Sequence, residues 1–458
     1  LRSDRRTAIV GWATFLVFLA LCFLGGGASR GDVLSLLYLR PAAILVIAAF
    51  LLLPVDRDWR TYRGLLLMLA AFAGLMVIQL VPLPPAVWTQ LPGRAPFEYA
   101  AEAAGLAQPW RPITLSPERT LQSLLCLMFP FATLLALATI GRERGRALVP
   151  VLIGAVLLSA VLGILQLTAG ERSPFHFYEI THRGSAVGVF ANRNHQAALL
   201  AICIPMLRVW TLFPAEARES RTRRWIALSL TVFLVAMILV TGSRAGLALG
   251  LVGLIAAYLI EPVGIPGRRG SPLVKLALVA LPLLTAAAIF ALGRATAIQR
   301  LIQDDAIESD ARFQLMPIML RIIPDYLPFG AGFGTFDPVF RLAEPDRVLD
   351  MQFLNHAHNE IVELAITGGV PALALLAVFL VWYVRASFLL FRRRSPDTPS
   401  TLFGRLGATI VLVLLLASIV DYPLRTPLLA VVFTIGCSWI AQARRSQIRR
   451  QDVDLANV

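Results

Sequence analysis

Charge is what this sequence has least of. Only 15% of its 458 residues are Asp, Glu, Lys or Arg, and 57% are hydrophobic, where soluble domains carry roughly 25% charged and 45–50% apolar residues. That balance excludes an ordinary water-soluble globular protein. Cysteine is also scarce, and its four copies, Cys22, Cys126, Cys203 and Cys437, are far apart and each inside an apolar run. Their placement excludes a disulfide framework or a thiolate metal cluster and leaves them as buried small hydrophobes. No internal repeat and no low-complexity linker interrupts the chain, so residues 1–458 read as a single polytopic membrane domain.

What the sequence does have is apolar runs of about 20 residues, the length that crosses a bilayer core of ~30 Å as a helix. Twelve can be read: 8–24, 33–53, 65–83, 120–140, 147–168, 194–213, 225–241, 245–261, 273–291, 360–386, 402–420 and 428–442. Backbone groups in lipid must be satisfied within the segment, so an all-α integral membrane protein with about twelve transmembrane helices is expected. Arginines cluster in every second gap, for example Arg57/Arg60/Arg63, Arg142/Arg144/Arg146 and Arg218/Arg221/Arg223/Arg224, as well as at both ends of the chain. By the positive-inside rule these gaps and both termini are cytoplasmic. The net charge of +14 is then a topology signal, and no nucleic-acid partner is expected. The first stretch, Arg2 to Leu24, has the look of a signal peptide, but an uncleaved first helix is the preferred reading.

The remaining gaps face outward and are the polar ones. Residues 84–119 mix prolines with Trp88 and Trp110, which suggests a loop lying on the membrane surface. Residues 292–359 form one large periplasmic loop. All five histidines, His176, His182, His195, His356 and His358, lie in or beside outward gaps.

Four groups of residues can carry chemistry there. Arg244, in the tight gap Thr241-Gly242-Ser243-Arg244, is either a headgroup anchor or an anion site in which its planar fork and the Ser243 hydroxyl grip phosphate oxygens. His356 and His358 stand where the large loop re-enters the membrane, flanked by Asn355, Asn359 and Glu360. An asparagine there is suited to N-cap the helix, and a histidine at a water–lipid boundary can take a proton from a hydroxyl near neutral pH. A metal site is the lesser alternative, since its third ligand must come from His176, His182 or Glu360 with no recognised spacing. Arg312, amid Asp304, Asp305, Glu308 and Asp310, has a surface salt bridge as its bland reading. In Asn192-Arg193-Asn194-His195 helix capping is the default and site lining the sharper possibility.

Three motifs resemble those of the O-antigen ligase and polymerase family of bacterial inner-membrane glycosyltransferases. They are Phe190-Ala191-Asn192-Arg193-Asn194-His195, Thr241-Gly242-Ser243-Arg244-Ala245-Gly246, and His356-Ala357-His358-Asn359-Glu360 running on to Gly368-Gly369-Val370-Pro371. Arg312 with Pro324 and Gly330-Ala331-Gly332-Phe333-Gly334 is similar to the family's large periplasmic loop, although Met316 stands where members often have tryptophan. The likeness covers residues 185–380. It implies a GT-C-like fold and a metal-independent, inverting enzyme without cofactors in the bacterial inner membrane. That enzyme moves a glycan from undecaprenyl pyrophosphate to an acceptor sugar, such as lipid A core, at the periplasmic face. It also implies that Arg244 and Arg312 contact the pyrophosphate and that His358 activates the acceptor hydroxyl, with His356, Arg193, Ser243 and Asn359 lining the site. A polymerase, whose acceptor is another lipid-linked repeat unit, has the same residues. A transporter or flippase is the rival from another class; it predicts ionisable residues inside spans and paired half-repeats, whereas this chain offers mainly Arg40 and Arg208.

Overall fold

The computed structural model describes residues 2–53, 57–170, 172–260, 305–346, 354–392 and 398–456. Three helices come first: α1 (Arg2–Gly25), α2 (Leu36–Leu52) and α3 (Trp59–Leu80). A two-stranded antiparallel ribbon follows, β1 (Pro82–Leu83) with β2 (Arg111–Pro112), and it encloses α4 (Pro85–Trp88) and α5 (Ala95–Ala103). Then come α6 (Pro117–Cys126), α7 (Met128–Ile140), α8 (Arg142–Thr168), α9 (Arg193–Thr211), α10 (Ala217–Val240) and α11 (Arg244–Leu259). The last five are α12 (Asp305–Tyr326), α13 (Phe336–Ala343), α14 (Glu360–Phe391), α15 (Pro399–Val420) and α16 (Pro427–Ala456).

Eleven of the twelve expected spans fall on helices, and the remaining one, 273–291, lies outside the described residues. Seven helices among the described residues are long and apolar enough to cross a membrane, and Ile9–Gly25, Leu36–Leu52 and Arg244–Leu259 are shorter apolar ones. The protein is a multi-pass, all-α membrane protein. The expected loop 292–359 is not bare connection, because α12 and α13 lie within it. Residues 84–119 likewise fold, with Trp88 buried and its Nε1 donating to the Pro109 carbonyl at 2.8 Å, while Tyr99, Leu106 and Trp110 stay exposed.

Helix α9 is the axis of the packing. It is buried along almost its whole length, with α8, α10, α11 and α15 against it. Small residues let α11 come close: a Cβ on Gly246 would sit 2.4 Å from the Ala197 Cβ, and one on Gly253 would sit 2.6 Å from the Ala201 carbonyl oxygen. Interfaces of this kind rest on close backbone approach, since lipid gives helices no hydrophobic reason to associate.

Two buried glutamines hold irregular backbone beside the helices. Gln166 of α8 donates to the Gly188 carbonyl (2.7 Å) and accepts from the Gly188 N–H (2.8 Å), while Ser159 accepts from Val189 N–H at 3.2 Å. These bonds fix the segment that leads into α9. Gln79 of α3 donates to the carbonyls of Phe329 and Thr367 (both 3.1 Å) and accepts from Phe333 N–H (3.0 Å). Of these carbonyls, that of Thr367 is freed where α14 breaks at Gly369 (φ 62°). The glycine-rich loop fills the break, with Ala331 N–H donating to Ile366 O at 2.8 Å and Gly332 N–H to Thr367 O at 2.9 Å. A Cβ on Gly330 would lie 2.5 Å from the Thr367 carbonyl oxygen. Unpaired backbone groups away from water cost several kcal/mol each, on the order of the price in hydrocarbon, so these bonds are what allow a broken helix here.

Candidate functional site

Three helix starts and one hairpin meet at the site. The starts are those of α9, capped by Asn192, α11, capped by Ser243, and α14, capped by Asn359, whose side chain accepts from Ile361 and Val362 N–H. The hairpin is Asp421 to Thr426, between α15 and α16. The caps do more than end helices. Asn192 Oδ1 accepts from Asn194 N–H (2.8 Å) while its amide donates to Asp421 Oδ2 at 3.0 Å. Asn194 donates to the same oxygen at 2.8 Å, and its Oδ1 accepts from the Ser243 hydroxyl at 2.7 Å. Ser243 in turn accepts from Gly246 N–H at 2.9 Å. A continuous polar chain therefore joins the α11 start to Asp421.

Asp421 is the centre of this chain. An ionised carboxylate taken out of water loses several kcal/mol of hydration, roughly, unless donors replace it. Asp421 has the Asn192 and Asn194 amides on one oxygen and Tyr422 N–H, at 2.9 Å, on the other. Burial alone pushes its carboxyl up, but His195 and His358 beside it outweigh that and hold it well below the usual carboxylate range. His358 places Nδ1 3.4 Å from Asp421 Oδ1. That nitrogen is buried while the ring as a whole is 17% exposed, which leaves Nε2 as its open side. The ring reaches this position from an unusual backbone, with φ 49° at His358. A non-glycine residue in that region is uncommon and costs of order 1 kcal/mol, so packing must hold it there.

A second histidine–carboxylate pair lies next to the first. His356 Nδ1 is 3.0 Å from Glu363 Oε1, and Ala357 N–H donates to Glu363 Oε2 at 2.9 Å. Arg425 grips Glu360 with Nε (2.9 Å) and Nη2 (2.8 Å) and reaches Glu363 with Nη1 at 3.0 Å. The Tyr422 ring covers both pairs, its centroid 4.4 Å from His356 and 4.8 Å from His358.

The structure brings His356, His358, Asn359, Ser243 and the helix carrying Arg193 to one place. Arg193 is buried at the first position of α9, and its N–H donates to His182 Nδ1 at 3.3 Å. Its Nη1 lies 3.8 Å from where a Cβ on Gly242 would stand, which puts it against the α10–α11 turn. Arg244 is exposed at the first turn of α11. Arg312 is in α12, and its side chain lies outside the described residues. Two candidate third metal ligands are otherwise engaged, His182 by Arg193 and Glu360 by Arg425. Among the described residues no group of three His, Cys, Asp or Glu side chains is arranged to hold a metal ion.

Sequence reading missed Asp421, Tyr422, Glu363 and Arg425. It passed over Asp421-Tyr422-Pro423-Leu424-Arg425 as a short turn. The signals were an acid and a base in an outward turn, and a glutamate one turn inside an apolar span, a place where ionisable residues are expensive and functional.

Known proteins give one direct comparison. A search of curated proteins finds no match to the chain. Residues 228–377 match the family model described as O-antigen ligase, a segment that takes in Arg244, Arg312, both closely spaced histidines and the break in α14. Over that segment, about a third of its length, the chain is similar to the O-antigen ligase and polymerase family, whose members transfer glycans in a membrane setting.

Proposed function

We propose that the protein transfers a glycan from undecaprenyl pyrophosphate to an acceptor sugar at the periplasmic face of the bacterial inner membrane, as an inverting, metal-independent ligase. The observation that supports this best is His358: one ring nitrogen turned to a buried carboxylate, the other accessible, in a site bordered by helix N-termini and arginines.

The chemistry follows from that arrangement. The acceptor hydroxyl oxygen attacks the anomeric carbon, and its proton passes to His358 Nε2 while Asp421 balances the charge that forms on the ring. The bond from the anomeric carbon to the pyrophosphate oxygen breaks, and its electron pair leaves with the lipid pyrophosphate. Negative charge grows on that leaving group. Arg244, Arg193 and Arg312 are assigned to stabilise it, together with the positive ends of α9 and α11. Attack opposite the leaving group inverts the anomeric centre.

A polymerase has the same residues and differs only in its acceptor. In vitro transfer with a defined lipid-linked donor tests the reading, offered in parallel a lipid A core acceptor and a second lipid-linked unit. A new glycoside of inverted configuration is expected, lost on the order of 10²-fold in Arg244→Ala at unchanged protein abundance. Movement of labelled donor across liposomes with no new glycoside would sink the proposal in favour of a transporter.

A further inference from the structure

Asp421 faces two histidines, and the mechanism above uses one. His195 is only 2% exposed, its Nε2 stands 3.7 Å from Asp421 Oδ1, and among the described residues no group meets either ring nitrogen with the geometry of a formed hydrogen bond. His358 Nδ1, 3.4 Å from the same oxygen, likewise falls short of that geometry among the described residues. Both separations exceed the roughly 2.7–3.2 Å of a formed N–H···O bond. Neither ring has captured the oxygen. Oδ2 is filled by two amides and Oδ1 already accepts from Tyr422 N–H, so full-strength bonds from both imidazoles do not fit. His195 has no alternative, because its ring is held edge-on between Phe190 (centroids 6.1 Å apart) and Tyr422 (5.4 Å). A buried ring with both nitrogens unpaired costs stability and calls for a reason.

We infer that His195 is a positioning residue that shares Asp421 with His358, so that the proton state of one imidazole sets how readily the other takes a proton. This rests on the glycosyl-transfer reading only for which histidine meets substrate. When the acceptor proton reaches His358 Nε2, the ring becomes an imidazolium and the carboxylate can close on its Nδ1–H. With His195 neutral, the whole of Asp421's charge is available to it. A proton on His195 claims that charge first and weakens His358 as a base.

The surrounding charges leave this competition in place. From the α15–α16 hairpin come Asp421 and Tyr422, and from α14 and its lead-in come His358, His356 and Glu363, the last already engaged by His356 and Arg425. Arg193 belongs to α9 itself, Arg244 to α11, and Arg30 of the α1–α2 connection reaches Tyr422 with its field. Asp421 is the carboxylate set against both rings.

With five histidines in the chain, ring-carbon NMR of histidine-labelled protein in nanodiscs can follow each titration across about pH 5 to 9. In His195→Phe the His358 midpoint is expected to rise by about one pH unit, as for coupled sites. The same rise is expected for His195 in His358→Ala, with His356 unmoved. His195→Gln, which keeps a polar group of similar reach, guards against a folding defect and should give the same rise. The acid limb of the transfer–pH profile should move upward with it and lose steepness. Midpoints unchanged in both reciprocal variants overturn the inference whether or not glycan is transferred. Reciprocal shifts in a wild-type protein that forms no glycoside support the coupling and sink the transfer reading alone.

Discussion

The two histidine–carboxylate pairs under Tyr422 are chemically alike and built for different work. His356 is bound to Glu363 at 3.0 Å, its Nε2 is buried, and its carboxylate is also held by a backbone N–H and by Arg425. His358 stands farther from its carboxylate, at 3.4 Å, is the more exposed ring (17% against 12%), and has the accessible nitrogen. A histidine bound through one nitrogen with the other sealed from water holds its surroundings together; one backed on one side and open on the other can move a proton. On the transfer reading proposed above, the tighter pair is then the structural one.

The largest way to break the comparison is His358→Ala. Removing a general base costs about 10²- to 10⁴-fold, so transfer should fall by that much while abundance and melting temperature in detergent hold. Full activity would end the role assigned to His358. Asp421→Asn should come next, on the order of 10²-fold, because an amide keeps the shape but not the charge that meets the imidazolium. The sign of its pH effect is fixed by its depressed carboxyl. Its stabilisation is complete above the unfolded carboxylate value near pH ~4 and is lost only as pH falls through the lower folded value. The stability that the carboxylate gives wild type over Asp421→Asn should therefore persist on acidification to about pH 5 and be lost only below ~4. An advantage already lost on acidification to about pH 5 would show Asp421 titrating where its surroundings say it does not.

His356→Ala sharpens the contrast from the other side. It leaves a Glu363 acceptor without its ring partner, which costs about 1–3 kcal/mol of stability, but specific activity of the folded fraction should stay within about tenfold. A collapse of activity at unchanged melting temperature would move the base from His358 to His356.

How far this was legible in the sequence depends on distance along the chain. Helix positions were legible, since apolar runs and the residues ending them are local signals, and so were the caps at Asn192 and Asn359. Arg244, His356 and His358 could be singled out because polar residues stand out at the edges of apolar runs. Asp421 could not, since it meets Asn192 across 229 positions and no spacing rule links a turn between two late helices to the start of α9. The glycine-rich loop was visible as a motif, yet its use as the filler of a broken α14 needed Gln79 and Gly369 to be seen together. Arg312, singled out from the sequence, has no described side chain to set against the other groups.

The smallest effect is expected from Arg425→Lys, and it tests the structural half of the comparison most finely. Arg425 makes three contacts with a planar fork, two to Glu360 and one to Glu363. Glu360 and Glu363 also raise its guanidinium further above an already high value, against the lowering effect of burial. A lysine keeps the charge but cannot present that fork to two carboxylates at once. The loss should be about 1 kcal/mol of stability, that of one or two charge-assisted hydrogen bonds imperfectly replaced. Because His358 answers to Asp421 and not to Glu363, rate per folded molecule should not change. Thermal melting and transfer measured on the same preparation separate the two effects. If instead rate falls as it does for His358→Ala while melting is unmoved, charge on the Glu363 side reaches the reacting atoms, and the two pairs are one catalytic unit.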